Sequence, residues 1–122
     1  MQNFAREMAR GATRFAANGL PHDAFTSVIL GVVSWEWDDE KARVNLEKDG
    51  VSFEEAVTVF DDPLYIDFYD PDHSADEHRY LIVGVSETRR LLIVSYTERR
   101  EAIRLISARE VTAAERKAYE EG

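Results

Sequence analysis

The chain has 122 residues, 44% of them hydrophobic, which is enough for one domain with a core and too few for two. It has no cysteine, which excludes disulfides and thiolate metal sites and favours a reducing compartment. Its formal net charge of −9 is unevenly spread: residues 34–77 hold fifteen acids against three bases, while residues 78–122 hold nine bases against seven acids. If the protein meets a polyanion, it is expected to do so with the C-terminal part and not with the acidic middle.

The longest apolar run, Val28–Val33, is too short to cross a bilayer core of about 30 Å, so the chain reads as a soluble, cytoplasmic protein with no membrane partner. Residues 1–33 differ in character from the rest. Phe4, Met8 and Phe15 mark one helical face and Arg6, Arg10 and Arg14 another, before Asn18-Gly19 and Pro21 break the pattern. This stretch reads as an extension outside the domain, of the kind an upstream mis-assigned start would add. The domain is expected over 34–122.

Trp35-Glu36-Trp37 alternates as a short strand. Asp38 or Asp39 then caps a helix to about Lys48, stopped by a left-handed Gly50, with Ala42 and Leu46 as its apolar face. Ser52 and Glu55 match a capping box, with Val51 and Ala56 in its staple positions. Phe53, Ala56, Val57 and Phe60 form a core stripe, and Asp62-Pro63 ends that helix. Four strands are expected next, over 64–68, 79–86, 90–98 and 102–108. The last two separators have hairpin length. Thr112 and Glu115 form a second capping box and open a final helix. The predicted class is α+β in the order β-α-α-β-β-β-β-α, an antiparallel meander with its helices packed on one face.

The loop Asp70–His78 matches the first four ligand positions of a calcium loop. It then departs from it, with Ala75 where a Gly is needed and Leu81 where a bidentate Glu belongs. His73 and His78, five apart and outside a helix, are poorly spaced for zinc. A solvated acidic loop is expected, with no metal and no cofactor. No nucleophile elbow or phosphate-binding glycine loop is present.

The C-terminal half carries more chemistry. Arg79, Tyr96, Glu98, Arg99, Arg104 and Arg109 lie on or at the ends of consecutive strands and can converge on one sheet surface. Guanidinium groups suit phosphate because their planar donors meet two oxygens at once. The plainer alternative is that these arginines pair with the abundant carboxylates and do nothing else.

The run Trp37, Asp38, Lys41, Ala42, Asn45, Lys48, Gly50, Val51, Phe53, Glu55, Ala56, Phe60, Asp62, Pro63 resembles the opening of BrnT-family toxins, RelE-like ribonuclease toxins of bacterial toxin–antitoxin pairs. The resemblance continues through Glu77, Arg79, Gly84, Tyr96, Arg99, Arg104, Arg109, Glu115 and Tyr119, covering about residues 34–120.

It implies a small RelE-like fold and growth inhibition by metal-independent RNA cleavage. It also implies a BrnA-like ribbon-helix-helix antitoxin, a heterotetramer with it, and promoter DNA bound only through that antitoxin. RNA cleavage needs a base for the 2′-hydroxyl proton, cations for charge on phosphorus and an acid for the leaving oxygen. Arg79, Arg99, Arg104 and Arg109 are expected to hold phosphate and transition-state charge. Glu98, and more weakly Glu77, are expected to transfer protons, with Lys48 and Tyr96 binding substrate. The family usually has His where this chain has Asp49. Asp49 replaces either a proton-transfer group or merely a helix-end residue, and in the second case nothing catalytic is lost. The alternative function is a degenerate toxin fold that only binds or regulates the antitoxin.

Overall fold

Asp38, two residues past the end of the first strand, starts the first helix. Its carboxylate accepts the backbone N–H groups of Glu40 at 2.8 Å and Lys41 at 3.1 Å, satisfying two donors that no helical carbonyl reaches. The computed structural model describes residues 34–122, so the reading of 1–33 as an extension lies outside the described residues.

The elements are β1 (Ser34–Glu36), α1 (Asp39–Asp49), α2 (Phe53–Thr58), a 3-10 turn (Val59–Asp61), β2 (Ile66–Tyr69), β3 (Arg79–Val85), β4 (Leu91–Arg99), β5 (Ala102–Glu110) and α3 (Ala113–Glu121). A second short 3-10 turn, Pro71–His73, lies between β2 and β3. Gly50 closes α1 at φ 70°, the left-handed stop that its position required.

The sheet order is β1-β5-β4-β3-β2. Strands β2 to β5 form the expected antiparallel meander. The expectation of a wholly antiparallel sheet is corrected at β1, which pairs parallel with β5 through Ser34–Ala102, Trp35–Ile103 and Glu36–Arg104. β1 reaches that edge because α1 and α2 carry the chain back across the sheet before β2 begins.

The expectation that all helices share one face is also corrected. Val51, Phe53, Ala56 and Val59, from α2 and its flanks, pack on Ile82, Leu92, Val94, Ile103 and Leu105. On the other face Ala118 and Tyr119 of α3, with Val111, cover Ile66, Phe68, Val83, Leu91 and Ile93. The central strands are thus buried on both sides, which is why their apolar runs are continuous and not alternating. Each fully buried large side chain here, such as Phe53, Ile82, Leu92 or Leu105, contributes about 1.5–3 kcal/mol by leaving water.

Leu46, expected in the packing face of α1, is 52% exposed. The buried place on α1 belongs to Asn45, 5% exposed. Its side chain works as a piece of strand. Oδ1 accepts the Ala108 N–H at 3.1 Å, while Nδ2 donates to the Ala108 carbonyl at 2.8 Å and to the Val51 carbonyl at 2.9 Å. The Ala108 backbone groups on the edge of β5 beyond β1 are thereby satisfied without another strand.

The Ser52–Glu55 box forms by half. Ser52 accepts the Glu55 N–H at 3.0 Å, but the Glu55 carboxylate binds Arg90, Ser86 and Thr88 instead of returning to Ser52. The Thr112–Glu115 box is complete.

Candidate functional site

Strand register decides where the arginines go. Arg79 pairs with Thr97, and Thr97 with Arg104, so both arginines share the sheet face on which α3 lies. Arg99, two residues beyond Thr97, alternates onto the same side. Arg104 and Arg109 are five residues apart, and simple alternation would send them to opposite faces.

A register shift prevents this. Tyr96 is opposite Leu105 and Ser95 opposite Ser107, leaving Ile106 as the extra residue of a bulge. Leu105 and Ala108 therefore both reach the α1/α2 core, and Arg104, Ser107 and Arg109 all reach the α3 face.

Where α3 does not cover this face a cleft of about 650 Å3 opens. Its floor is Leu81, Ile93, Ser95, Ile106 and Ser107, its cationic walls are Arg79 and Arg109, and the segment from Phe68 to His73 closes one side.

The two walls are held differently. Arg109 is partly buried and donates to both oxygens of Glu115, at 2.8 and 3.0 Å. Hydrogen bonding to Glu115 raises its pKa, against a lowering by burial, and the Asp49 carboxylate at the end of α1 adds to the rise. Burial pushes the Glu115 carboxyl up, but bonds from Arg109 and the Thr112 N–H outweigh that and hold it below the usual carboxylate range. Arg79 is tethered through its backbone. Its N–H donates to Ser74 Oγ at 2.9 Å and its carbonyl accepts the Asp70 N–H at 2.8 Å, while its side chain approaches Glu77 at 3.5 Å.

Arg99 and Arg104 stand apart from the cleft lining and share Glu36 of β1, at 3.7 and 3.1 Å.

Three further sequence-predicted site residues do not reach this face of the sheet at all. Tyr96 is 5% exposed in the α1/α2 core, stacked on Tyr80 and edge-on to Phe60, with its hydroxyl donating to Asp67 at 3.2 Å. Burial raises its pKa well above the ordinary phenol value. It is a core residue and not a surface that meets substrate.

Glu98 pairs with Ile103 on that same α1/α2 side, near Tyr80 and Tyr96, so it stands on the wrong face to serve the arginines. Lys48 is exposed on α1 and does not line the cleft. The helix that carries it packs against the opposite face, where a strand-end cation reading could not put it.

Sequence reasoning also passed over residues that the cleft contains. Ser95 and Ser107 are opposite one another across β4 and β5. His73, poorly spaced as a metal ligand, has its Nδ1 2.9 Å from Asp70 Oδ2, and their i, i+3 spacing is the sequence mark of the pair. Among the described residues no group of three or more His, Asp or Glu side chains is placed to hold a metal ion. Among them, too, no helix is long and apolar enough to cross a membrane.

The fold is similar to that of the Brucella abortus ribonuclease toxin BrnT, solved as a crystal structure. The TM-score is 0.51 at 20% identity, over 66% of this chain and 99% of that one. No curated protein matches the sequence. The model of a family described as the ribonuclease toxin BrnT of type II toxin–antitoxin systems matches residues 37–115. That match spans well over half of the sequence, and the chain belongs to the BrnT family of ribonuclease toxins of type II toxin–antitoxin systems.

Proposed function

We propose that this protein inhibits growth by cutting RNA without a metal ion, at the cleft walled by Arg79 and Arg109. The observation that carries the reading is the shared face. Four arginines from three strands stand on one side of the sheet, two of them at a cleft large enough for a nucleotide. Arg79 and Arg109 hold the scissile phosphate and take up the charge that grows on its oxygens. Arg99 and Arg104 guide the adjoining backbone. Ser95 and Ser107 offer hydroxyls to a ribose or base on an otherwise apolar floor.

A type II toxin has an antitoxin, and we assign this one to a BrnA-like ribbon-helix-helix protein that forms a heterotetramer in the cytoplasm and makes all the promoter DNA contacts. The acidic outer side of α1, with Asp39 and Glu40 in its first turn, suits a basic partner and repels RNA.

The test is cleavage of a defined RNA by the purified protein in EDTA. Expected products carry 2′,3′-cyclic phosphate and 5′-hydroxyl ends, 2′-deoxy substitution at the cut blocks the reaction, and Arg79→Ala slows it by about 100-fold. Cleavage that appears with added Mg2+ and vanishes in EDTA refutes the metal-free mechanism.

One observation favours the second reading, a scaffold that binds only the antitoxin: each of the four arginines already has a carboxylate in the chain, at Glu77, Glu36 or Glu115. Growth arrest on induction, relieved by the antitoxin, excludes it. Silence with and without the antitoxin establishes it.

A further inference from the structure

The cleft supplies cations for phosphate but needs a group to remove the 2′-hydroxyl proton, and the carboxylates first expected in that role are ill placed. Glu98 stands on the other face of the sheet, and Glu77 is paired with Arg79. We propose that His73, oriented by Asp70, is the general base of this cleft. The proposal rests on the RNA-cleaving reading given above.

Three features point to it. His73 and Asp70 line the same cleft as Arg79 and Arg109. The pair has the burial asymmetry of a base and its orienting group: the Asp70 side chain is 12% exposed and the imidazole 68% exposed. With Asp70 Oδ2 2.9 Å from Nδ1, the carboxylate accepts Nδ1–H, and the lone pair is left on Nε2 for a bound hydroxyl.

The third feature is the mounting of the loop. Ser74 Oγ donates to the Asp70 carbonyl at 2.6 Å and accepts the Arg79 N–H at 2.9 Å, and the Asp70 N–H donates to the Arg79 carbonyl at 2.8 Å. The base and the phosphate-binding arginine are therefore fixed to the same few backbone atoms, which sets their separation before substrate arrives. Pro71 opens the 3-10 turn that ends at His73 and restricts the loop further.

In the step itself, His73 Nε2 takes the proton from the 2′-hydroxyl as the 2′-oxygen bonds to phosphorus. The bond from phosphorus to the 5′-oxygen breaks, and that oxygen takes a proton from solvent. The products are a 2′,3′-cyclic phosphate and a 5′-hydroxyl, and the imidazolium returns its proton to water. Arg79 and Arg109 carry the charge on the non-bridging oxygens. Asp70 is a positioning residue and touches no substrate.

The experiment uses the full chain and its His73→Ala, His73→Gln and Asp70→Asn variants. It measures initial cleavage rate against pH, affinity for an uncleavable 2′-deoxy-substituted RNA, and thermal unfolding. The charged groups lining the cleft around His73 are Asp70 and Asp72 on its own segment, Arg79 on β3 and Arg109 on β5.

Both His73 variants are expected to lose at least about 100-fold in rate, keep RNA affinity within about twofold, and unfold at the wild-type temperature. Their pH–rate profiles should lose the acidic limb, and added imidazole should restore part of the rate of His73→Ala. Asp70→Asn should lose about tenfold and displace that limb. His73→Ala with wild-type rate and profile overturns the assignment, as does a rate loss matched by lost RNA affinity with the profile intact. A wild-type protein that leaves RNA uncut overturns both the base and the cleft's function, whereas an active wild type with an indifferent His73 overturns the base alone.

Discussion

Replacing Asn45 by Ala should be among the most destabilising single changes in this protein, although it removes only one small polar side chain. Three buried hydrogen bonds go with it, to the Ala108 N–H, the Ala108 carbonyl and the Val51 carbonyl. Ala108 is 1% exposed and Val51 0%, so water does not reach the abandoned groups without opening the contact between α1 and β5. Each of the three unsatisfied buried groups costs about 1–3 kcal/mol, and partial relaxation of the contact between α1 and β5 keeps the total in the lower part of their summed range, about 3–5 kcal/mol. That is a large share of the roughly 5–15 kcal/mol that holds a small domain folded.

Urea unfolding of the purified protein measures this loss directly. With a slope of about 1.5 kcal/mol/M, the midpoint should fall by about 2–3 M at unchanged slope. Asn45→Asp is the companion. Its carboxylate keeps the acceptor for Ala108 N–H but faces two carbonyls with no donor, so it should be nearly as unstable as Asn45→Ala at pH 7. Facing those carbonyls favours the neutral acid, so the folded pKa of the new group is raised. Its deficit relative to wild type should then narrow as pH falls through that value and the acid regains one donor. A midpoint change below about 0.5 M for Asn45→Ala would show that the edge of β5 needs no such cap.

Gly84→Ala should destabilise by about 1–3 kcal/mol, because an added Cβ would lie 3.1 Å from both Asp62 Oδ2 and Val59 Cγ1 and 3.2 Å from Tyr65 Cβ. A chemical melt with unchanged midpoint would mean that the 3-10 turn can retreat at no cost. Acid should weaken the protein through Glu55, whose pKa is lowered to about 2, first by the hydrogen bond from Arg90. A depressed carboxylate stabilises the fold above its unfolded value near 4.5 and loses that contribution as pH falls from there towards 2. Discounted for the partial exposure of Arg90, the loss is about 2 kcal/mol, and Glu55→Gln should be less acid-sensitive than wild type over that range. Equal acid sensitivity in the two proteins would rule the pair out as its source. Reversing Asp39 and Glu40 to Lys should slow antitoxin association and flatten its salt dependence, by stopped-flow fluorescence, while leaving RNA cleavage intact. Unchanged association kinetics would remove α1 from the interface.

Much of this architecture could be read locally, and what could not depended on register or on distant partners. Asp38, Gly50 and Thr112 fixed helix ends because a cap is a matter of neighbouring residues. The continuous apolar runs Leu81–Val83 and Leu91–Val94 signal strands buried on both faces, but nothing in them says that α3 is the element covering the second one. Tyr96 belongs to the same parity as Leu92 and Val94, and that parity predicts an inward side chain. The Ile106 bulge leaves no local mark, since an extra residue is visible only against its partner strand. Without that register the convergence of Arg104 and Arg109 had no derivation. Glu55 shows the same limit: its capping-box spacing was correct, but Arg90, thirty-five residues away, claims the carboxylate.

Arg109 shows why activity alone cannot identify the site. Its partner Glu115 has a side chain only 4% exposed and anchors both α3 and the Thr112 cap. Arg109→Ala strands that charge, which in a fully buried pair costs about 3–5 kcal/mol. The Arg109 side chain is 34% exposed, and solvent screening brings the expected loss to about 2 kcal/mol, or about 10 °C in Tm. A toxin inactivated by this change has therefore lost either its phosphate clamp or its α3 docking. The double variant Arg109→Ala/Glu115→Gln separates the two, because Gln keeps an acceptor for Thr112 N–H without the stranded charge. Its Tm should recover at least half of the loss while RNA cleavage stays depressed by about 100-fold. Recovered cleavage would assign Arg109 to scaffold alone, leaving Arg79 as the cleft's phosphate-binding cation. A single variant with wild-type Tm would instead show that the Glu115 pair holds nothing together, and that its short distances reflect proximity without consequence.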